Sequence, residues 1–204
     1  MFSYKRWAVV TVAAVAIGCG SRPPETTRDY VSKIAADRAA KDASFEKDSE
    51  PIPANRKQEL LPLSYFPIDP DYDVPAALKP IADSTPITMP TSSGEERKMR
   101  RVGTLEFAVK GHPLKLTAFV EVGTSDLNRL FVPFMDLTNV TETYGGGRYL
   151  DLDRTATGVY DIDFNRAYTP YCYYNPTYDC PYPPPENRLK VAIRAGEKLK
   201  KPEL

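Results

Sequence analysis

From Arg101 to Gly196 apolar residues recur at alternate positions, the period of a strand with one buried face. Leu105, Phe107 and Val109, then Leu114, Leu116, Ala118 and Val120, flank Lys110-Gly111-His112, which reads as a β-hairpin around a tight turn. The run "RLFVPFMDLT", from Arg129, predicts a third strand, with Pro133 marking an edge or a bulge. The runs "GRYLDLD" and "GVYDIDFN" read as a second hairpin. "RLKVAIRAG" reads as a last strand, with Leu189, Val191 and Ile193 inward.

Only residues 26–48 carry a helical period. Tyr30, Ile34 and Phe45 form a narrow apolar stripe, and Thr26 with Asp29 makes a capping box. Asp29/Lys33, Asp37/Lys41 and Arg38/Asp42 stand at i,i+4 spacing, as on a solvated face. Residues 51–90 interleave Leu61, Leu63, Tyr65, Phe66 and Ile68 with proline and aspartate, so that no period survives. This apolar content predicts an extended segment wrapped over the core. The expected fold is mostly β (α+β): one N-terminal helix packed on an antiparallel sheet curled into a barrel or small sandwich.

The second hairpin carries the candidate chemistry. A four-residue loop, Arg154 to Thr157, sets Arg148 opposite Asp163, Leu150 opposite Asp161 and Asp151 opposite Tyr160. A slip of one residue would oppose Asp151 and Asp161, which a sheet disfavours. The preferred register sends Tyr160, Ile162 and Phe164 to the core. It leaves Asp161, Asp163 and Asn165 as a polar row beside Arg148, with Arg166 and Tyr168 next to it.

The start of the chain fixes the compartment expected for this chemistry. Lys5 and Arg6, an apolar run from Trp7 to Ile17 and "AIGC" ending at Cys19 read as a lipoprotein signal with Ala16 in place of the usual leucine. Cys19 is then the lipidated residue and 20–27 a tether to one domain at 28–198, followed by a tail at 199–204. Lipidation implies a bacterial cell envelope protein, membrane-anchored through acyl chains (palmitate among them). Gly20 after the cysteine favours the outer membrane, facing the periplasm. Removal of residues 1–19 leaves 25 basic against 27 acidic residues, net −2, which gives no electrostatic case for nucleic acid. Cys172 and Cys180 then form an even pair in an exported chain, the pattern of a disulfide. Its nine-residue loop would contribute roughly 2–3 kcal/mol.

Candidate catalytic patterns are weak. His112 is the single histidine and lies in a turn, and no G-x-S-x-G occurs, so a Ser-His-Asp triad has little support. Two cysteines alone do not make a zinc site, "DPDYD" lacks the glycine and glutamate of a calcium loop, and "YGGGRY" lacks the Lys-Ser/Thr of a P-loop. No metal or other cofactor is therefore expected. "YCYYNPTYDCPYPPPENR" (171–188), with its prolines, must be a loop. Its near-consecutive tyrosines cannot all face the core, so some present aromatic edges suited to sugars or peptides.

"YGGGRYLDLD", "YDIDFNRAYTPYCYYNP", "CPYPPPENRLKVAIRAGEK" and the upstream "LSYFPIDPDYDVPAAL" resemble the bacterial family called domain of unknown function 1684. The pattern matches at Gly146, Arg148, Asp163, Phe164, Asn165, Arg166, Tyr168, Pro170, Cys172, Cys180, Pro184, Glu186, Asn187 and Arg188. The resemblance implies no known reaction, but it makes 171–188 part of the domain. The reading that follows is an envelope lipoprotein binding a polar ligand, a glycan or a protein partner. Its candidate site is Arg148, Asp161, Asp163, Asn165, Arg166, Tyr168, Tyr171, Asn175, Glu186, Asn187 and Arg188. The alternative is a carboxylate-dependent hydrolase of an envelope glycan, using Asp161, Asp163 and Glu186.

Overall fold

A computed structural model describes residues 26–48, 50–83, 85–125 and 128–200. Cys19, its signal segment, most of the expected tether and the last four residues of the tail lie outside the described residues. Helix α1 (Thr27–Lys47) starts at the expected capping box: Thr26 Oγ1 accepts from the Asp29 amide, and the Asp29 carboxylate accepts from the Thr26 amide. A single turn, α2 (Lys57–Leu60), and a short strand, β1 (Ser64–Tyr65), follow. Next come β2 (Asp73–Pro80), β3 (Ile87–Pro90), β4 (Glu96–Val109), β5 (His112–Glu121), β6 (Arg129–Phe134), β7 (Arg148–Asp153) and β8 (Val159–Asp163). A turn, α3 (Tyr171–Tyr174), precedes β9 (Glu197–Lys198), which pairs with β1.

The main sheet is antiparallel in the order β7-β6-β5-β4-β2-β8, with β3 added on β4, and it curls into a nearly closed barrel. The β4–β5 hairpin is the one expected. Lys110 and Gly111, both with positive φ, make a two-residue turn whose twist suits antiparallel strands. Leu105, Phe107, Val109, Leu116, Ala118 and Val120 all point into the core. Leu130, Val132, Phe134, Leu150, Leu152, Tyr160, Ile162 and Phe164 complete it.

The expected second hairpin does not form. β7 pairs with β6, β8 pairs with β2, and the two strands are the opposite edges of the sheet. Tyr160, Ile162 and Phe164 face inward as expected, but the expected register put Leu150 on the polar face and Asp151 beside Tyr160, whereas Leu150 and Leu152 lie in the core and Asp151 is exposed; alternation carries no information about which strand lies alongside. The missing neighbour is β2, hidden by its prolines. Pro75 lies opposite Asp161 on β8, before β2 meets β4 at Ala77, so a residue with no N–H is tolerated there.

Pro133 is likewise in an interior strand. β5 and β6 are in register only at Phe119 and Phe131, and beyond it the Asn187 side chain takes the place of the ladder. Its Oδ1 accepts from the Thr117 amide at 2.7 Å, and its Nδ2 donates to the carbonyls of Thr117 (2.9 Å) and Pro133 (2.7 Å).

The expected last strand is instead an irregular strap. Leu189 and Ile193 are buried as predicted and Val191 partly so, but the carbonyls of Ile193 and Ala195 are held by a guanidinium rather than by a strand, and the same guanidinium reaches the carbonyl of Glu197 at the start of β9. That guanidinium belongs to Arg148, fully buried and paired with fully buried Asp136 at 2.8 Å. Gly196 follows with φ +77°, and a Cβ there would meet the Phe164 and Ala167 carbonyl oxygens at 2.6 and 2.5 Å, so the strap can pass only at a glycine.

Asp136→Ala should lower stability by about 3–5 kcal/mol in urea unfolding, because Arg148 is left as an uncompensated buried charge. Asp161→Ala, an exposed position, should change it by less than about 0.5 kcal/mol.

Candidate functional site

The predicted polar cluster is dispersed by the fold. Arg148 faces the strap and Asp136, not Asp163. Glu186 meets Arg101 at 2.8 Å on another surface, and Arg188 is exposed beside Met135. Asn187 is the β5–β6 stitch. Asn175 caps the loop by accepting from the Thr177 amide and hydroxyl. The part that holds together is Asp163, Asn165 and Arg166, under helix α1. Asp163 accepts from the Tyr30 hydroxyl at 2.8 Å, the Asn165 amide at 2.9 Å and Arg166 Nε at 3.1 Å, while Arg166 reaches Asp37 at 2.8 Å.

This geometry reverses the reading of α1 as a solvated face. Its charged residues dock it on the barrel instead of pairing at i,i+4. Arg38 donates to the carbonyls of Phe66 and Asn165 and lies over the Tyr65 ring at 4.5 Å. Lys41 pairs with buried Glu197 at 2.5 Å, and Asp42 accepts from the Leu63 amide. Burial raises the Asp42 pKa, with the Leu63 amide opposing. Glu197 also takes the Thr169 amide and the Tyr174 hydroxyl, each at 2.8 Å.

Helix α1, the 168–181 loop and the outer face of the sheet enclose a cleft of about 720 Å³. Phe131, Met99 and Tyr149 come from the strands, Lys41, Ser44 and Phe45 from the helix, and Tyr168, Tyr171, Tyr178, Asp179 and Cys180 from the loop. Arg97, Arg129, Glu121 and Asp151 add charge to its walls. Aromatic rings stand edge to face: Phe131–Tyr149 at 4.7 Å, Tyr149–Tyr168 at 5.7 Å and Tyr171–Tyr178 at 5.4 Å. Arg97 fastens the loop by donating to the Asp179 carbonyl and carboxylate.

A second cleft of about 450 Å³ opens where β7 and β8 fail to pair, and Asp161, Asp163 and Arg166 line it. Tyr168 and Asp151 border both clefts, and the Tyr168 hydroxyl donates to Asp151 at 2.9 Å between them. The reason is the barrel closure: Tyr149 and Tyr168 exchange backbone hydrogen bonds, so the chain after β8 returns to the free edge of β7. Tyr168 and Tyr171 therefore lie where a site residue should. Tyr178 belongs to the loop tyrosines expected to present aromatic edges; Phe45, Arg97, Glu121, Arg129, Phe131, Tyr149, Asp151 and Asp179 were not legible as site residues, because a helix, a loop and strands far apart in sequence bring them together.

Residues 58–198 match the family described as protein of unknown function (DUF1684). The chain belongs to that family. A solution NMR structure of the uncharacterized protein from gene locus rrnAC0354 of Haloarcula marismortui is 35% identical and has a TM-score of 0.66. The similarity covers 85% of this chain and 96% of that one. No curated protein matches the chain. The expected DUF1684 membership thus stands, and so does the mostly β barrel fold with its N-terminal helix.

Burial raises the pKa of Tyr149, Tyr168 and Tyr174, and neighbouring carboxylates add to the effect at Tyr168 (Asp151) and Tyr174 (Glu197). A phenol whose folded pKa exceeds its unfolded value stabilises the fold fully below the ordinary pKa of 10.0, and that stability is lost as pH rises above it. Spectrophotometric titration should show these three tyrosines ionising only with unfolding. Reversible ionisation of all thirteen tyrosines near pH 10 in the folded chain would contradict this.

Proposed function

We propose that the chain is a lipid-anchored protein of the bacterial envelope whose aromatic cleft binds a polar, polyhydroxylated ligand of the glycan class. The observation that carries the reading is the cleft wall itself, with rings and charged hydrogen-bonding groups interleaved on one concave surface of about 720 Å³. The three cations (Lys41, Arg97, Arg129) are matched by three acids (Glu121, Asp151, Asp179), so the walls offer hydrogen bonds without a net field. A neutral sugar suits such walls better than a highly charged ligand. Exposed Tyr171 and half-buried Tyr178 supply apolar faces with polar rims, as sugar rings require.

The anchor rests on the n-region, apolar run and Cys19 of the leader, with the tether read over residues 20–27 leading into α1. Envelope location, facing the periplasm from the outer membrane, follows from that reading.

Hydrolysis by paired carboxylates fits the geometry less well. Asp163 already accepts three donors, and Glu186 is bound by Arg101 on a different surface. Neither presents a free carboxyl to a shared substrate.

Calorimetric titration of the chain with envelope oligosaccharides should find a binder whose affinity falls about 2- to 13-fold in Tyr171→Ala, the size of an aromatic contact of about 0.5–1.5 kcal/mol. Arg129→Ala should weaken it similarly. Binding indifferent to both substitutions, or none across the panel, would overturn the cleft assignment. Palmitate labelling in cells should disappear in Cys19→Ala, and persistent labelling would overturn the anchor.

A further inference from the structure

The cysteine pair is not absorbed by ligand binding. Cys172, in the first turn of α3, is half-buried. Cys180, buried, lines the aromatic cleft. Both carry free thiols, and they face each other: the Cys172 amide donates to Cys180 Sγ at 3.2 Å. Their surroundings differ. Cys172 is the more exposed of the two, and the Cys180 thiol and the Ser92 and Tyr144 hydroxyls all favour its charged form. Cys180 is pinned through its backbone, its amide donating to Ser92 Oγ at 3.1 Å and its carbonyl accepting from the Ser92 amide at 2.9 Å.

We propose that Cys172 and Cys180 form a redox-active dithiol beside the cleft, in which Cys172 attacks a disulfide-bearing substrate and Cys180 resolves the product. The half-buried thiol is the better placed to attack, and the buried Cys180 thiol, which keeps its proton, stands ready to resolve. The Cys172 pKa is accordingly lowered to about 6, chiefly by the Cys180 thiol and against the opposing effect of burial, and that of Cys180 is raised. The chemistry balances with a disulfide R–S–S–R as oxidant. The Cys172 thiolate attacks one sulfur, forming a Cys172–S–S–R mixed disulfide and expelling RS⁻. Cys180, losing its proton to solvent, then attacks Sγ of Cys172, closing the Cys172–Cys180 bond and expelling the second RS⁻. Two protein thiols are oxidised and one substrate disulfide is reduced to two thiols; the reverse sequence runs with excess thiol. This goes beyond an inert staple, and it requires neither the lipid anchor nor a glycan in the cleft.

The test uses the full chain carrying Cys19→Ala, so that two thiols remain. Alkylation followed across pH and mapped by peptide mass should label Cys172 first, with its rate half-maximal near pH 6, and Tyr144→Phe should move that midpoint upward. Oxidised glutathione should convert the chain to the internal disulfide, with reduced glutathione reversing it. In Cys180→Ser the reaction should stop at a Cys172–glutathione adduct. Equal labelling of both thiols with an ordinary midpoint near pH 8.5 would overturn the proposal. So would a disulfide that no glutathione ratio reduces, or an adduct that forms as fast on Cys180 in Cys172→Ser. If a serine variant fails to fold, the alkylation profile of the parent still decides.

Discussion

Arg148 is held by groups that the chain could not otherwise bring together. Its guanidinium lies wholly inside the protein, beside an equally buried carboxylate on the loop after β6, and its two terminal nitrogens also donate to three carbonyls of the C-terminal strap, while Nε is buried without a partner. Burial lowers its pKa and Asp136 opposes that. Two charges out of water are costly, so the pair must be judged by what it organises. Asp136 also accepts from the amides of Thr138 and Ile193, which makes one ion pair the meeting point of the β6–β7 connection, β7 and the strap. A lysine could not serve, because the fork of the guanidinium reaches carboxylate and carbonyls at once.

Once the strap is fixed, Glu197 is fixed, and with it the route of the chain over the cleft. Its carboxylate receives the Thr169 amide and the Tyr174 hydroxyl from the loop and Lys41 from the helix. The docking face of α1 runs Tyr30, Ile34, Arg38, Lys41 and Phe45, half of it polar, and only Ile34 and Phe45 are buried apolar residues. The wall of the cleft is thus attached mainly through hydrogen bonds and ion pairs to the strap and to Asp163. Placement of such a wall depends on the core it grips more than on its own sequence, in keeping with the weak contribution expected of exposed pairs.

What could be read from the sequence follows the same division. Local signals were sufficient for α1 with its cap, for the Lys110-Gly111 hairpin and for the inward sets of β4, β5 and β8, because each rests on neighbours a few residues apart. Pairing of β7 with β8 was read from adjacency in sequence, and the proline-marked strand β2 took the place that adjacency suggested for β7. Asp136 gave no signal at all, being one carboxylate in "FMDLT" with its partner twelve positions on. The charges of α1 gave a misleading one, since i,i+4 spacing describes an isolated helix and cannot register acceptors on another element.

The residues that carry the family resemblance sort by the same physics. Arg148, Asp163, Asn165 and Asn187 have their polar atoms committed to the scaffold, to carbonyls, amides and the Tyr30 hydroxyl. Glu186 is tied to Arg101. A side chain so engaged would have to break a hydrogen bond before meeting a ligand, losing about 0.5–1.5 kcal/mol for each neutral bond and more where a charge is buried. Such residues specify the barrel, its closure and its strap. Tyr168 and Cys180 differ: both line the cleft, Cys172 faces Cys180, and none of the three holds two strands together with its side chain. A pattern dominated by scaffold residues therefore predicts a shared fold among its members, and whatever chemistry they share must lie in this smaller set at the cleft.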